Sequence, residues 1–123
     1  MPDAIPIIRL GASLLVTLSG DLVDSSVEQV EREVAREVAA TGAAGVLIDV
    51  SGLWVVDSYV ARVIARLVAM IRLLGADTAI VGIQPPVAIA LVELGVPMTG
   101  VQTALNAEQG MARLRGLRDE RVG

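Results

Sequence analysis

The chain has 123 residues, a net charge of −4 and an apolar fraction of 54% with almost no aromatics. It lacks cysteine and histidine, which excludes a disulfide framework, a thiolate metal site, a thiol nucleophile and the commonest general base. All ten basic residues are arginine, and the acidic balance argues against nucleic acid or an anionic membrane as partner, since both favour a basic patch.

The length suits one compact domain spanning 1–123, large enough to bury a core without staples. The first residues, MPDAIPIIRLG, have no basic segment followed by an apolar one, so they do not match a secretory signal. The longest apolar stretch, 78–92, is interrupted by Pro85 and Pro86, too short for a membrane span. These features predict a soluble, cytoplasmic protein.

Residues 6–10 predict an edge strand, Gly11 and Ala12 a tight turn, and SLLVTL at 13–18 a strand ending at Ser19-Gly20. A helix is expected over 24–42, because Val27, Val30, Val34 and Val38 recur at three- and four-residue spacing. Asp24, Ser25 and Ser26 are its candidate caps and Gly42 its stop. GVLIDV at 45–50 is the next strand, closed by Ser51-Gly52, and LWVV leads on from it.

The second helix is expected from Ser58 to Leu74, with Val60, Val63, Ile64, Leu67, Ile71 and Leu74 facing inward. Arg62 and Arg66 lie one turn apart on another face, and Gly75 ends it. TAIVGI at 78–83 predicts a strand, broken by Gln84-Pro85-Pro86, which opens a short helix ending at Gly95. A last strand is expected over 99–103. A closing helix follows over 106–118, capped by Asn106, with a frayed tail at 119–123. Strands alternating with helices define an α/β layer fold: a mixed four- to five-stranded sheet packed with about four helices.

Enzymatic signatures are missing. There is no lysine, hence no phosphate-binding loop of the Gly-Lys-Ser/Thr type, and no serine triad forms without histidine or lysine. Asp24, Asp49 and Asp57 sit near strand or loop ends, where such residues cap or solvate. No catalytic residue, metal ligand or cofactor is therefore assigned.

Ser58 stands out. In VVDSYVARVIA it opens an apolar helix directly after Asp57, and either side chain is a competent N-cap. If Asp57 caps, the Ser58 hydroxyl falls free in the first turn. A phosphate there would meet the positive helix end and add about two negative charges to a docking surface. Trp54 and Tyr59 flank this site, either as packing groups or, for Tyr59, as an interface anchor. An apolar fraction this high in so small a domain also predicts exposed apolar patches, the mark of an associating surface.

Three segments resemble the STAS family (sulfate transporter and anti-sigma factor antagonist domains). They are TGAAGVLIDVSGLWVVDSYVARVIARLVAMIRLLGA, GIQPPVAIALVELG and QTALNAEQGMARLR. The likeness runs from about Ile5 to Leu117. It implies a single STAS-like domain in which the family's phosphorylated serine falls on Ser58, after Asp57. It implies as partner a serine kinase of the anti-sigma type, bound until Ser58 is phosphorylated. Tyr59-Val60-Ala61 after that serine resembles the stressosome-scaffold branch, whose members co-assemble with longer paralogues carrying N-terminal sensor domains. Homo- and hetero-oligomers are thus expected.

One departure is in the loop GDLVDSS, where Asp21 and Leu22 match the family but Val23 replaces an aspartate. Asp24, one step later, is the candidate to serve that partner surface with Asp57 and Tyr59. Two other readings stand beside the scaffold: a free anti-sigma factor antagonist of the same fold, and a small-ligand or nucleotide-binding α/β module, which fold alone does not exclude.

Overall fold

The computed structural model describes residues 6–19 and 27–122. Asp24, the neighbouring cap candidates Ser25 and Ser26, and the Asp21–Val23 departure lie outside the described residues.

The elements run in chain order as β1 (Ile7–Leu10), β2 (Ser13–Ser19), α1 (Val27–Thr41), β3 (Gly45–Gly52), α2 (Ser58–Leu73), β4 (Asp77–Val81), α3 (Pro85–Glu93), β5 (Gln102–Ala104) and α4 (Ala107–Val122). The five strands form one sheet in sequence order. β1 pairs antiparallel with β2 through the tight turn at Gly11, and β2 to β5 pair parallel. The sheet is mixed for a simple reason: two residues between β1 and β2 permit only a hairpin, whereas each later strand follows a helix that returns the chain to the same end.

The alternating side chains of β2, β3 and β4 split between two cores. Leu14, Val16, Leu18, Val46, Ile48, Val50 and Ile80 face α1, α2 and α3 in the main core. Leu47, Ala79 and Val81 face Leu114 of α4 on the other side, with Met111 and Leu117 packed around them. With both faces covered, β3 and β4 read as near-continuous aliphatic runs, the pattern of a buried parallel sheet. The close approach of α4 depends on Gly110. A Cβ there would lie 2.5 Å from Leu47 Cδ2 and 2.7 Å from Val81 Cγ1, so only a residue without a side chain lets the helix sit so low.

Of the valine stripe of α1, Val30, Val34 and Val38 are buried in the main core as the spacing predicts, while the Val27 side chain lies outside what is described. In α2 the expected inward residues Val60, Val63, Ile64, Leu67 and Ile71 are buried, joined by Ala61 and Val68. Leu74 is a correction: it is 45% exposed and forms the helix C-cap. The chain leaves the helix there. Ala76 N–H donates to Ile71 O at 3.1 Å and Gly75 N–H to Arg72 O at 3.0 Å, a Schellman turn made at the Gly75 φ of 86°.

Several boundaries also differ, and β3 runs on to Gly52. β4 stops at Val81 because Gly82 has a φ of 75°, and β5 begins at Gln102 because Gly100, with a φ of 80°, still lies in a turn. α4 continues to Val122, so residues 119–122, expected as a frayed tail, prolong the helix.

Candidate functional site

The segment between β3 and α2 is held by alternate insertion. Leu53 and Val56 are buried in the main core, and Leu53 N–H donates to Val50 O at 2.9 Å. Between them Trp54 and Val55 point outward, 63% and 80% exposed. Trp54 is thus a surface group, which removes the reading that it packs in the core.

Asp57 follows in extended backbone, with φ −95° and ψ −178°. Its carboxylate Oδ1 accepts the Val60 N–H at 2.9 Å, and its carbonyl accepts the Ala61 N–H at 3.0 Å. Asp57 is therefore the N-cap, and it consumes the first-turn donor that a side-chain cap normally takes. Ser58 becomes the first helical residue and is exposed. Of the two competing caps, aspartate occupies the position and leaves the hydroxyl outside it. Tyr59 is half-buried against the main core, so it anchors the turn rather than standing free.

On one side of α2, Ser58, Ala61, Arg62 and Ala65 form a wall of a groove of about 210 Å³. The opposite wall is Leu94, Gly95, Val96 and Pro97, the turn after α3. The three arginines of α2 differ in their commitments. Arg66 pairs with Glu31 of α1, donating from Nε and, at 3.3 Å, from Nη2. The hydrogen bond and charge of Glu31 raise the Arg66 pKa above its ordinary value. Arg72 Nη2 donates to Thr99 O at 2.8 Å. Arg62 is exposed and makes no hydrogen bond or ion pair among the described residues.

A broader depression of about 640 Å³ lies at the carboxyl ends of β3, β4 and β5, lined by Ser51, Gln84, Thr103, Gln109 and Arg113 among others. It does not include Ser58. Asp49, the third carboxylate singled out in the sequence, accepts the Ser51 N–H at 2.9 Å in a local turn. No group of side chains suited to a metal occurs among the described residues.

Sequence reasoning did not single out the apolar rim of α3. Ile89 and Val92 are 60% and 81% exposed, and Leu94 stands across the groove from Ser58. A signal was present: VAIALVE is apolar at nearly every position, more than one buried face of a short helix uses.

A five-stranded mixed sheet, three helices on one face and one on the other, and a capped helix displaying a serine define a STAS-type domain. The STAS domain family model matches residues 4–104, and the chain belongs to that family. Among solved structures, it is similar to the S58E variant of RsbS from Moorella thermoacetica: TM-score 0.87 and 35% identity, covering 93% of this chain and 99% of that one. It is similar also to a chain of the structure "Molecular architecture of the stressosome, a signal integration and transduction hub", with TM-score 0.86 and 36% identity, covering 92% and 98%. The RsbT co-antagonist protein RsbRB of Bacillus subtilis (strain 168) is 30% identical over 107 residues, 86% of this chain and 39% of that protein. The chain thus spans under two-fifths of that curated relative. It is related to RsbS and RsbR stressosome components. No helix of the described residues is long and apolar enough to cross a membrane.

Proposed function

We propose that this chain is a non-catalytic stressosome scaffold and phospho-switch, which retains a serine kinase of the anti-sigma type and releases it when Ser58 is phosphorylated. The observation that carries this reading is the division of labour at the start of α2. Asp57 takes the cap, and Ser58 is left exposed at the positive end of a helix whose next residues are anchored in the core. The partner assembly consists of STAS paralogues with N-terminal sensor domains together with further copies of this chain, in the cytoplasm. The relationship to RsbR and RsbS proteins supports that assembly, and the exposed apolar groups Trp54, Val55, Ile89 and Val92 supply surface for it.

In the reaction, Ser58 Oγ attacks the γ-phosphorus of ATP bound to the kinase. The new O–P bond replaces the bond to the β-phosphate oxygen, ADP leaves, and the hydroxyl proton passes to a base on the kinase. The product adds about two negative charges at pH 7 beside the Asp57 carboxylate. The domain tolerates this charge at a helix N-terminus, where the macrodipole favours anions by about 0.3–1 kcal/mol. A partner that docked against a neutral hydroxyl meets repulsion and a desolvation cost instead.

The test combines mass spectrometry with binding. Incubation with the cognate kinase and ATP should place one phosphate on Ser58. Ser58→Ala should bind the kinase without being modified, and Ser58→Asp should bind it at least tenfold more weakly. Kinase affinity equal in all three forms would remove the switch.

A further inference from the structure

We infer that Arg62 is the positioning residue for the phosphorylated form of Ser58, drawing the phosphoryl group along the first turn of α2 into the groove below it. The inference rests on the phospho-switch reading and specifies how the modified side chain is held.

Four observations lead to it. Ser58 and Arg62 are four residues apart on one helix, so their side chains are neighbours on its surface, with the acid on the N-terminal side, the favourable order. Both line the same groove. Arg62 is uncommitted among the described residues, whereas Arg66 is held by Glu31 and Arg72 by Thr99 O. The backbone donor best placed for an anion, Val60 N–H, is already used by Asp57. The helix end alone is therefore a depleted host for a phosphate, and a side-chain cation one turn along supplies what it lacks.

Among the described residues no hydrogen bond or ion pair competes for Arg62, and besides Glu31 the α1 charge Glu28 acts on Arg66. The opposite wall, Leu94 to Pro97, carries no charge. The Asp57 carboxylate is turned to its own helix, and Glu31 of α1 is engaged by Arg66. Glu93, the residue before that wall, is exposed to solvent. A guanidinium binds phosphate oxygens through two parallel N–H groups, which fixes direction as well as distance. Phosphorylation then changes the docking surface twice: it adds a dianion and it occupies Arg62, a cation without an ion pair among the described residues.

The test is a ³¹P NMR titration of the full chain with phosphoserine installed at position 58 during synthesis, so that no kinase is needed. Ion pairing favours the dianion, so the second phosphate pKa should be lower in the parent than in Arg62→Gln by about 0.15–0.4 unit. Arg62→Lys should recover part of the shift, and Arg36→Gln, which removes an equal charge from α1, should leave it in place. The difference should shrink in about 1 M salt. Equal titration curves for the parent and Arg62→Gln, or the same displacement from Arg36→Gln, would overturn the assignment. An unmodified Ser58 after kinase treatment would sink the switch itself while leaving this titration interpretable.

Discussion

Helices α2 and α3 lie on the same face of the sheet, each follows a parallel strand, and each ends in the same kind of turn. Val96 N–H donates to Leu91 O at 3.1 Å after α3, as Ala76 N–H does to Ile71 O after α2. They are otherwise opposites. α2 buries Val60, Ala61, Val63, Ile64, Leu67, Val68 and Ile71 and starts with a side-chain cap. α3 fully buries only Val87 and Leu91, packs Ala90 partly against the core, starts with two prolines and no side-chain cap bond, and leaves Ala88, Ile89 and Val92 exposed. One helix is a fixed platform that holds a hydroxyl at a defined place; the other is a greasy rim beside it. A switch needs both: the modified atom must not move with its modification, and the surface around it must have something to lose when a partner leaves.

The contrast is open to direct attack. The largest effect is expected at Leu67, fully buried in α2. Leu67→Ala should cost about 2–5 kcal/mol of unfolding free energy in urea, the usual range for a cavity in a packed core. Asp57→Ala removes the cap bond to Val60 N–H and should cost about 1 kcal/mol in the same measurement, because it orphans one donor without opening the core. Val92→Ser, on the exposed face of α3, should change stability by less than about 0.5 kcal/mol. The same substitution should weaken co-assembly with STAS paralogues in size-exclusion chromatography. A loss of stability at Val92 comparable to that at Leu67 would mean that α3 is core, not rim.

Much of the layout was legible in the residues. The valine spacing of α1, the inward stripe of α2 as far as Ile71, and the aliphatic runs of β3 and β4 carry periodicities that follow from backbone geometry alone. The errors cluster where a single backbone angle decides. Gly82 ends β4 before Ile83, and Schellman geometry at Gly75 turns Leu74 out of the stripe to which its spacing assigned it. Hydrophobic pattern carries no information about such angles.

At the site, the sequence by itself determined which two residues compete for the cap and that a hydroxyl sits at the mouth of a helix. Those facts are local, set by residue type and the orphan N–H groups of a first turn. Only the tertiary structure decided which one won, that Trp54 stands outside while Leu53 and Val56 are inside, and that the turn after α3 lies across from Ser58 to make a groove with Arg62 in it. The groove joins Ser58 and Arg62 to a turn more than thirty residues further on, and only packing α2 and α3 on the same sheet brings them together.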